Sequence, residues 1–530
     1  MERRDVLRCS LLAGGAALAG KFAGAQPAFQ LEEATVADLA ARMNSGGLTA
    51  RSLAEKYLAR IDAIDKNGPA INAIIELNPD ALAIAEALDK ERHDKGPRGA
   101  LHGIPVLIKD NIDTADRMMT TAGSLALAGS IAPRDAFVVE RLRAAGAVVL
   151  GKTNLSEWAN FRSSHSTSGW SGRGGQTRNP YVLDRNPCGS SSGSGAAASA
   201  NLCALAVGTE TDGSITCPSS INGLVGIKPT VGLVSRSGVI PIAHSQDTAG
   251  PMARTVADAA ILLGAMAGVD ADDAVTKESM GKAKSDYTTF LDRNGLRRAR
   301  IGVARKFFGF SEAVDKLMAD ALDVMKHLGA EIVDPADIPT IGKFGDAEND
   351  VLQFEFKTDL NAYLERLGPK APVHSLKEII EFNVHHAKRE MPYFGQDNLI
   401  KSEARGPLTS PAYLKALKTC RDLSRRQGID AVMTQHKLDA LVAPTAGPAC
   451  LTDLVDGDHI VGGDITSPAA VAGYPHITVP AGYVFGLPVG ISFVGGAYTE
   501  PTLIRLAYAF EQATGHRKSP RFVPSLDLST

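Results

Sequence analysis

The chain has 530 residues, 44% of them hydrophobic and 22% charged, with a formal net charge of −3. That length accommodates two or three average domains or one large α/β domain with insertions, and the composition is that of a globular protein with a sizeable core. The near balance of charge gives no electrostatic footprint for nucleic acid or for an anionic membrane surface.

Residues 1–25 read as an export segment of twin-arginine type. Arg3-Arg4 gives a basic start, Leu11–Ala19 a short apolar region, and Ala23-Gly24-Ala25 a small-residue cleavage site. The apolar region is too short to span a bilayer, and Cys9 precedes it, where a lipoprotein cysteine would not stand. A periplasmic or secreted location is therefore expected, with residues 26–530 as the mature chain. Its cysteines are Cys188, Cys203, Cys217, Cys420 and Cys450. Their number is odd and no C-x-x-C pair occurs, so free and mostly buried thiols are expected, with no zinc site.

Thr35–Met43 and Thr49–Asp65 are predicted helices, each opened by a capping Thr. Leu53, Tyr57, Leu58, Ile61 and Ile64 give the second an apolar face at helical spacing. Asn78-Pro79 predicts a third helix start. From Gly103 the texture changes: Ile104–Ile108 is a continuous apolar run suited to a buried strand, followed by a helix near Arg134–Ala145 and a strand at Ala147–Leu150. Residues 161–195 are dominated by Ser, Gly, Arg and Asn, and Ala196–Ala206 reads as a small-residue helix against a sheet. Ala299–Ala304, Glu312–Leu328 and Glu331–Val333 read as strand, helix, strand. Residues 335–435 are mostly helical and richer in charge, an insertion that either covers a site or adds peripheral helices. Strands are predicted again at Ala440–Val442, Ile477–Val479 and Val489–Phe493, and a last helix at Pro501–Thr514. No repeat or low-complexity linker divides the chain, which favours one large domain.

Three features carry chemistry. Lys109 closes the apolar run Gly103-Ile-Pro-Val-Leu-Ile-Lys109, where its charged form would lose hydration. Burial lowers a lysine pKa, and a neutral amine at pH 7 costs roughly 4.6 kcal/mol from a reference near ~10.4. Such an amine is a general base; a strand-end lysine that snorkels to solvent is the alternative. Downstream come two serine-glycine runs, Cys188-Gly-Ser-Ser-Ser-Gly-Ser-Gly195 with Ser190, and Gly208-Thr-Glu-Thr-Asp-Gly-Ser-Ile215 with Ser214. Either run alone would pass for a flexible loop.

Lys109, Ser190 and Ser214 taken together, in this order and spacing, resemble the catalytic set of the amidase signature family. The flanks Gly151-Lys-Thr-Asn154, Gly223–Thr230, Gly250-Pro-Met-Ala-Arg254, Ala443-Pro-Thr445 and Gly486–Gly490 resemble family segments too. The resemblance runs from about residue 35 to 515. It implies an α/β fold with a large mixed β-sheet sandwiched between helices, as a single domain with the helical insertion at 335–435. It also implies a cofactor-independent serine amidase with no metal. Ser214 is the implied nucleophile, Ser190 a bridging serine that follows a cis peptide bond, and Lys109 the base. The backbone N–H groups of Thr211, Asp212, Gly213 and Ser214 form the implied oxyanion hole. Most relatives have two glycines before the nucleophile; here Asp212 replaces one, and its side chain is expected to turn away toward an Arg or a backbone donor.

Glu210-Thr-Asp-Gly-Ser214 with Arg173–Pro180 upstream looks most like the branch of bacterial peptide amidases, which implies a peptide carboxamide as substrate. A general aliphatic or aryl amide is the alternative, and an exported amide-binding protein without turnover is the alternative of another class. The partner implied is a small-molecule or peptide amide, with no nucleic acid and no stable membrane insertion. The family also includes an amidotransferase component that works on charged tRNA, which the export segment and the balanced charge argue against. Gly189-Ser-Ser-Ser-Gly193 also satisfies the nucleophile-elbow pattern with Ser191 central, but the polar, proline-broken stretch before it is no buried strand. Cys188 and Cys217 have no His placed by motif to activate them. Trp170 and the insertion are candidates for a pocket wall, and His165 and His244 are expected to be structural.

Overall fold

The computed structural model describes residues 29–463 and 465–528; the predicted export segment, residues 1–25, lies outside the described residues. Its first two helices begin where the capping threonines stand. Thr35 and Thr49 precede Val36–Asn44 and Ala50–Ile61; each hydroxyl accepts from the N–H of the residue three positions on, and each threonine N–H donates to the side chain of that residue. That reciprocal cap satisfies two donors the first turn would leave open. The third helix starts at Ala81 instead of Pro79. Asn78 serves the sheet as well as the turn: its amide donates to the Val149 carbonyl at 2.8 Å and its carbonyl accepts from Asp80 N–H at 2.9 Å.

One mixed sheet of eleven strands organises the molecule. In chain order its strands are β1 (Ile74–Leu77), β2 (Pro105–Lys109), β3 (Val148–Thr153), β4 (Leu205–Glu210), β5 (Val225–Lys228) and β6 (Thr248–Ala253). The second half supplies β7 (Arg300–Val303), β8 (Glu331–Val333), β9 (Ala440–Pro444), β10 (His476–Val484) and β11 (Leu487–Val494). Across the sheet they lie in the order β1-β3-β2-β4-β6-β5-β10-β11-β9-β7-β8. β3, β2 and β4 are mutually parallel, as are β9, β7 and β8, and the strands between are antiparallel. Helices cover the inner strands on both faces, so every residue of β2 is buried. This is why it reads as an unbroken apolar run and not as an alternation.

Two sequence expectations change here. Ala196–Ala206 is not one helix: the helix is Ser192–Ser199, and Leu205 already belongs to β4. Asn201 adopts a left-handed backbone, and Ala204 N–H donates to the Pro105 carbonyl at 3.1 Å, which starts the sheet pairing with β2. β5 and β6 were hidden by their Gly and Pro residues, which punctuate the strand pattern where the short helix Thr216–Ile221 packs against β5.

Between β8 and β9 the chain is mainly helical, including Gly345–Leu367, Leu376–His385, Pro411–Ser424 and Asp430–His436. Phe356, Leu360, Tyr363 and Leu364 of this segment form an apolar cluster with Trp158, Phe161, Ile240 and Ile242 of the main body. The insertion therefore lies on the loops that follow β3 and precede β6.

The helix Ser192–Ser199 touches β2, β3, β4 and β6. Its close approach depends on Gly193, where a Cβ would run into the carbonyl oxygens of Ala73 and Asn154. Gly193→Ala is expected to destabilise the protein by about 1–3 kcal/mol, the usual cost of overpacking. Urea unfolding would measure it.

Candidate active site

Lys109 ends β2, between two parallel neighbours, and its side chain is wholly buried. Its Nζ lies 2.7 Å from Ser190 Oγ, 2.9 Å from Thr209 Oγ1 and 3.2 Å from the Thr209 carbonyl. No carboxylate pairs with it among the described residues. Burial pushes the amine down to about 7, with Asp247 and Glu210 pulling weakly the other way. Three oxygens surround the amine; a neutral amine has two N–H groups for the Thr209 oxygens and a lone pair that can accept from the Ser190 hydroxyl. Asn111 supports the arrangement by donating to Thr209 Oγ1 at 3.0 Å.

Ser190 follows the cis Gly189–Ser190 peptide, and its carbonyl accepts from Ser156 N–H at 3.1 Å. Ser191, the centre of the alternative elbow, is committed elsewhere. Its hydroxyl donates to the Thr209 carbonyl at 3.0 Å and accepts from Thr209 N–H at 3.2 Å, which binds it into the β4 backbone. Ser191 N–H donates to the Ser214 carbonyl at 3.1 Å and so fastens the two serine runs together.

Ser214 stands between β4 and the helix Thr216–Ile221, 8% exposed, and among the described residues its hydroxyl has no hydrogen-bond partner. Gly213 before it has φ +74°, the left-handed region that a side chain would strain. Glu210 accepts from the N–H groups of Ile215 and Thr216 at 2.7 and 2.9 Å. The N–H groups of Asp212, Gly213 and Ser214 have no acceptor among the described residues, which leaves them available to an oxyanion beside Ser214. Thr211 is held by its hydroxyl, 2.6 Å from Asp247, while the other oxygen of Asp247 takes the N–H groups of Ile242 and Ala243 at 2.8 and 2.9 Å. Burial pushes Asp247 up to about 6.

The structure thus brings Lys109 and Ser190 into contact and ties the loop of Thr211, Asp212, Gly213 and Ser214 beside them. The Asp212 carboxylate turns away from the N–H groups, as expected, but its partners are neither Arg nor backbone. It accepts from Ser467 Oγ at 2.6 Å and meets the Glu348 carboxyl of the insertion. Thr209, Asn111, Asp247 and Glu348 carried no sequence signal beyond their nearness to a motif or, for Glu348, none. Trp170 is buried under Tyr393 and Phe394 with Arg162 over its ring, at 5.6, 5.2 and 5.0 Å. His165 touches Ser164, and His244 lies 2.8 Å from Asp359 and 3.5 Å from Glu355.

The expectation of free thiols fails at two positions. Cys188 and Cys217 form a disulfide with Cα atoms 6.1 Å apart and 29 residues apart in sequence, while Cys203, Cys420 and Cys450 are free. No short C-x-x-C spacing announces the bond because it is the fold that brings the two serine runs together; the signal was that one cysteine flanks each run. Alkylation of the denatured, unreduced protein is expected to label Cys203, Cys420 and Cys450 and to spare Cys188 and Cys217. A Cys188→Ser variant should lose about 3 kcal/mol of stability, the usual effect of opening a loop of this length.

Comparison with known proteins agrees with the geometry. A profile of the Amidase family matches residues 52–504. The chain is 44% identical to a probable amidase of Arabidopsis thaliana, over 93% of each chain. Among solved structures it is similar to the native peptide amidase of Stenotrophomonas maltophilia, with 52% identity, a TM-score of 0.88, and 93% and 99% of the two chains covered. It also resembles an amidase family protein of Bacillus anthracis, at 38% identity and a TM-score of 0.84, over 93% of each chain. With an Amidase profile over most of its length and a fold shared with these structures along more than nine-tenths of the chain, the chain belongs to the amidase signature family.

Proposed function

We propose that this protein hydrolyses carboxamides to carboxylate and ammonia through an acyl-enzyme on Ser214, acting on the C-terminal amides of peptides. The observation that carries the reading is the buried Lys109 amine, held near neutrality at physiological pH, 2.7 Å from Ser190 Oγ. The likeness to a peptide amidase at 52% identity supports the substrate class.

In this reading Lys109 Nζ accepts the Ser190 proton as Ser190 Oγ accepts that of Ser214. Ser214 Oγ then bonds to the amide carbon, and the carbonyl oxygen becomes an oxyanion facing the N–H groups of the Thr211–Ser214 loop. Removal of one such donor typically costs about 100- to 1000-fold in turnover. As the C–N bond breaks, Ser190 returns a proton to nitrogen, because an amide nitrogen leaves poorly unless protonated. Water, losing its proton along the same path, attacks the acyl-enzyme and releases the acid.

Export to the periplasm belongs to the same proposal. The Arg3-Arg4 start and the apolar Leu11–Ala19 stretch support it. The Cys188–Cys217 bond suits a compartment in which thiols are not kept reduced.

Residues 26–530 are expected to release ammonia from an N-blocked peptide carboxamide and to leave internal peptide bonds intact. Ser214→Ala should lower that rate by at least about 10⁴-fold, the scale seen when a serine nucleophile is removed. Release from benzamide in preference to the peptide would keep the mechanism and favour the broad-amide alternative. An unaffected Ser214→Ala variant would overturn the mechanism, and no release from any amide would favour a binding protein.

A further inference from the structure

The loop that carries the free N–H groups is held from outside the serine motifs. Asp212 Oδ2 accepts from Ser467 Oγ at 2.6 Å, the Thr466 hydroxyl also lies against this carboxylate, and its buried Oδ1 has no hydrogen-bond partner among the described residues. What faces Asp212 is the carboxyl of Glu348, from the first turn of the insertion helix Gly345–Leu367. Two carboxyl groups in contact, Glu348 buried and Asp212 half-buried, repel when both ionise, so the pair retains a proton between them. A second link runs through Gln246: its amide donates to Glu348 Oε1 at 2.9 Å and to the Thr211 carbonyl at 3.3 Å. Glu348 therefore reaches the loop at both Thr211 and Asp212.

We propose that Glu348 is a positioning residue for the oxyanion loop: in its protonated form it donates to Asp212, and with Gln246 it fixes the direction of the N–H groups of Asp212, Gly213 and Ser214. It acts through the loop and touches no reacting atom. The inference rests on the amidase reading above and adds to it an essential proton at Asp212–Glu348, distinct from the one carried by Lys109.

Burial raises both carboxyls; Asp212 raises Glu348 further, whereas the hydrogen bond from Glu348 lowers Asp212, which places the proton on Glu348. Other groups facing the pair are Lys228 of β5 and Glu210 of β4, with Cys420 of the helix Pro411–Ser424 on the far side of Glu348. Loss of the shared proton at alkaline pH leaves two adjacent carboxylates, which repel and free the loop. Turnover of the wild type is thus expected to fall on the alkaline side, while Lys109 stays neutral and competent.

Ammonia release from an N-blocked peptide carboxamide, followed as kcat and KM against pH, tests this in Glu348→Gln, Glu348→Leu and Ser214→Ala. Gln keeps a donor that cannot titrate: kcat should stay within about threefold of wild type at pH 7.5, and the alkaline fall should vanish or move up. Leu removes the donor: kcat should drop about 100-fold, the scale of a lost oxyanion donor, with KM changed far less. An alkaline limb identical in Glu348→Gln and wild type overturns the proposal, whether or not the Leu variant folds. So does a folded Glu348→Leu variant with wild-type kcat. Ser214→Ala separates the two layers: if it is inactive while the Glu348 variants match wild type, the positioning role fails and the nucleophile stands. Activity retained in Ser214→Ala overturns the mechanism on which both rest.

Discussion

An amine withdrawn from water without a counter-charge in contact is the constraint around which this molecule is arranged. Among the described residues three lysines are wholly buried: Lys109, Lys152 and Lys228. Lys152 donates to the Ile112 carbonyl at 2.7 Å and to Thr120 at 2.9 Å, with Asp110 and Asp113 close enough to favour its charge. Burial lowers the pKa of both Lys152 and Lys109, and at Lys109 the nearest carboxylates are already taken. Asp247 binds Thr211 and two backbone N–H groups, and Glu210 caps the helix after Ser214. Their charges are spent on holding the loop, so desolvation prevails over attraction at Lys109. The same contacts that shape the Thr211–Ser214 loop, the proposed oxyanion site, therefore favour the neutral form of the Lys109 amine.

The sheet makes this geometry possible. Lys109 ends β2, and Thr209 and Glu210 end the adjacent parallel β4, so the amine, the Thr209 oxygens and the Ser214 loop emerge together at the carboxyl ends of these two strands. The start of the helix Ser192–Ser199 brings Ser190 to the same strand ends. The insertion is joined to this core by buried polar contacts as well as by its apolar cluster. Arg162 pairs with Glu157 at 2.7 Å and bonds to the Glu390 and Phe394 carbonyls, while Glu390 accepts from Ser124 Oγ at 2.5 Å. Breaking one member would leave a buried charge unpaired, a loss greater than that of an exposed pair. A segment docked in this way can hold Glu348 at the loop with little freedom.

Much of this was legible in the residues. The capping threonines, the apolar run ending in Lys109 and the C-terminal strands follow local rules, and the structure places them within a few residues of the predicted ends. Lys109, Ser190 and the 211–214 loop were legible only as a set, through resemblance, since a glycine-serine run has no periodicity of its own. What stayed hidden depends on distant contacts. β5 and β6 look like turns because Gly and Pro occupy them. The partners of Asp212 come from residues 348 and 467, and the Cys188–Cys217 bond joins positions that only the fold makes neighbours. Ser191 and Ser190 are alike in sequence; their hydrogen bonds alone tell the hydroxyl fixed to the Thr209 backbone from the one facing Lys109.

The most direct test of the account is the acid limb of kcat/KM against pH for wild-type residues 26–530, which reports the free enzyme's essential base. A base that must be neutral, with a pKa of about 7, predicts an activity that falls about tenfold per pH unit below that point and reaches a plateau above it, ahead of the alkaline fall assigned to Asp212 and Glu348. A profile that stays flat down to about pH 5 would mean that no group titrating near neutrality is required, and would contradict a mechanism built on the Lys109 amine.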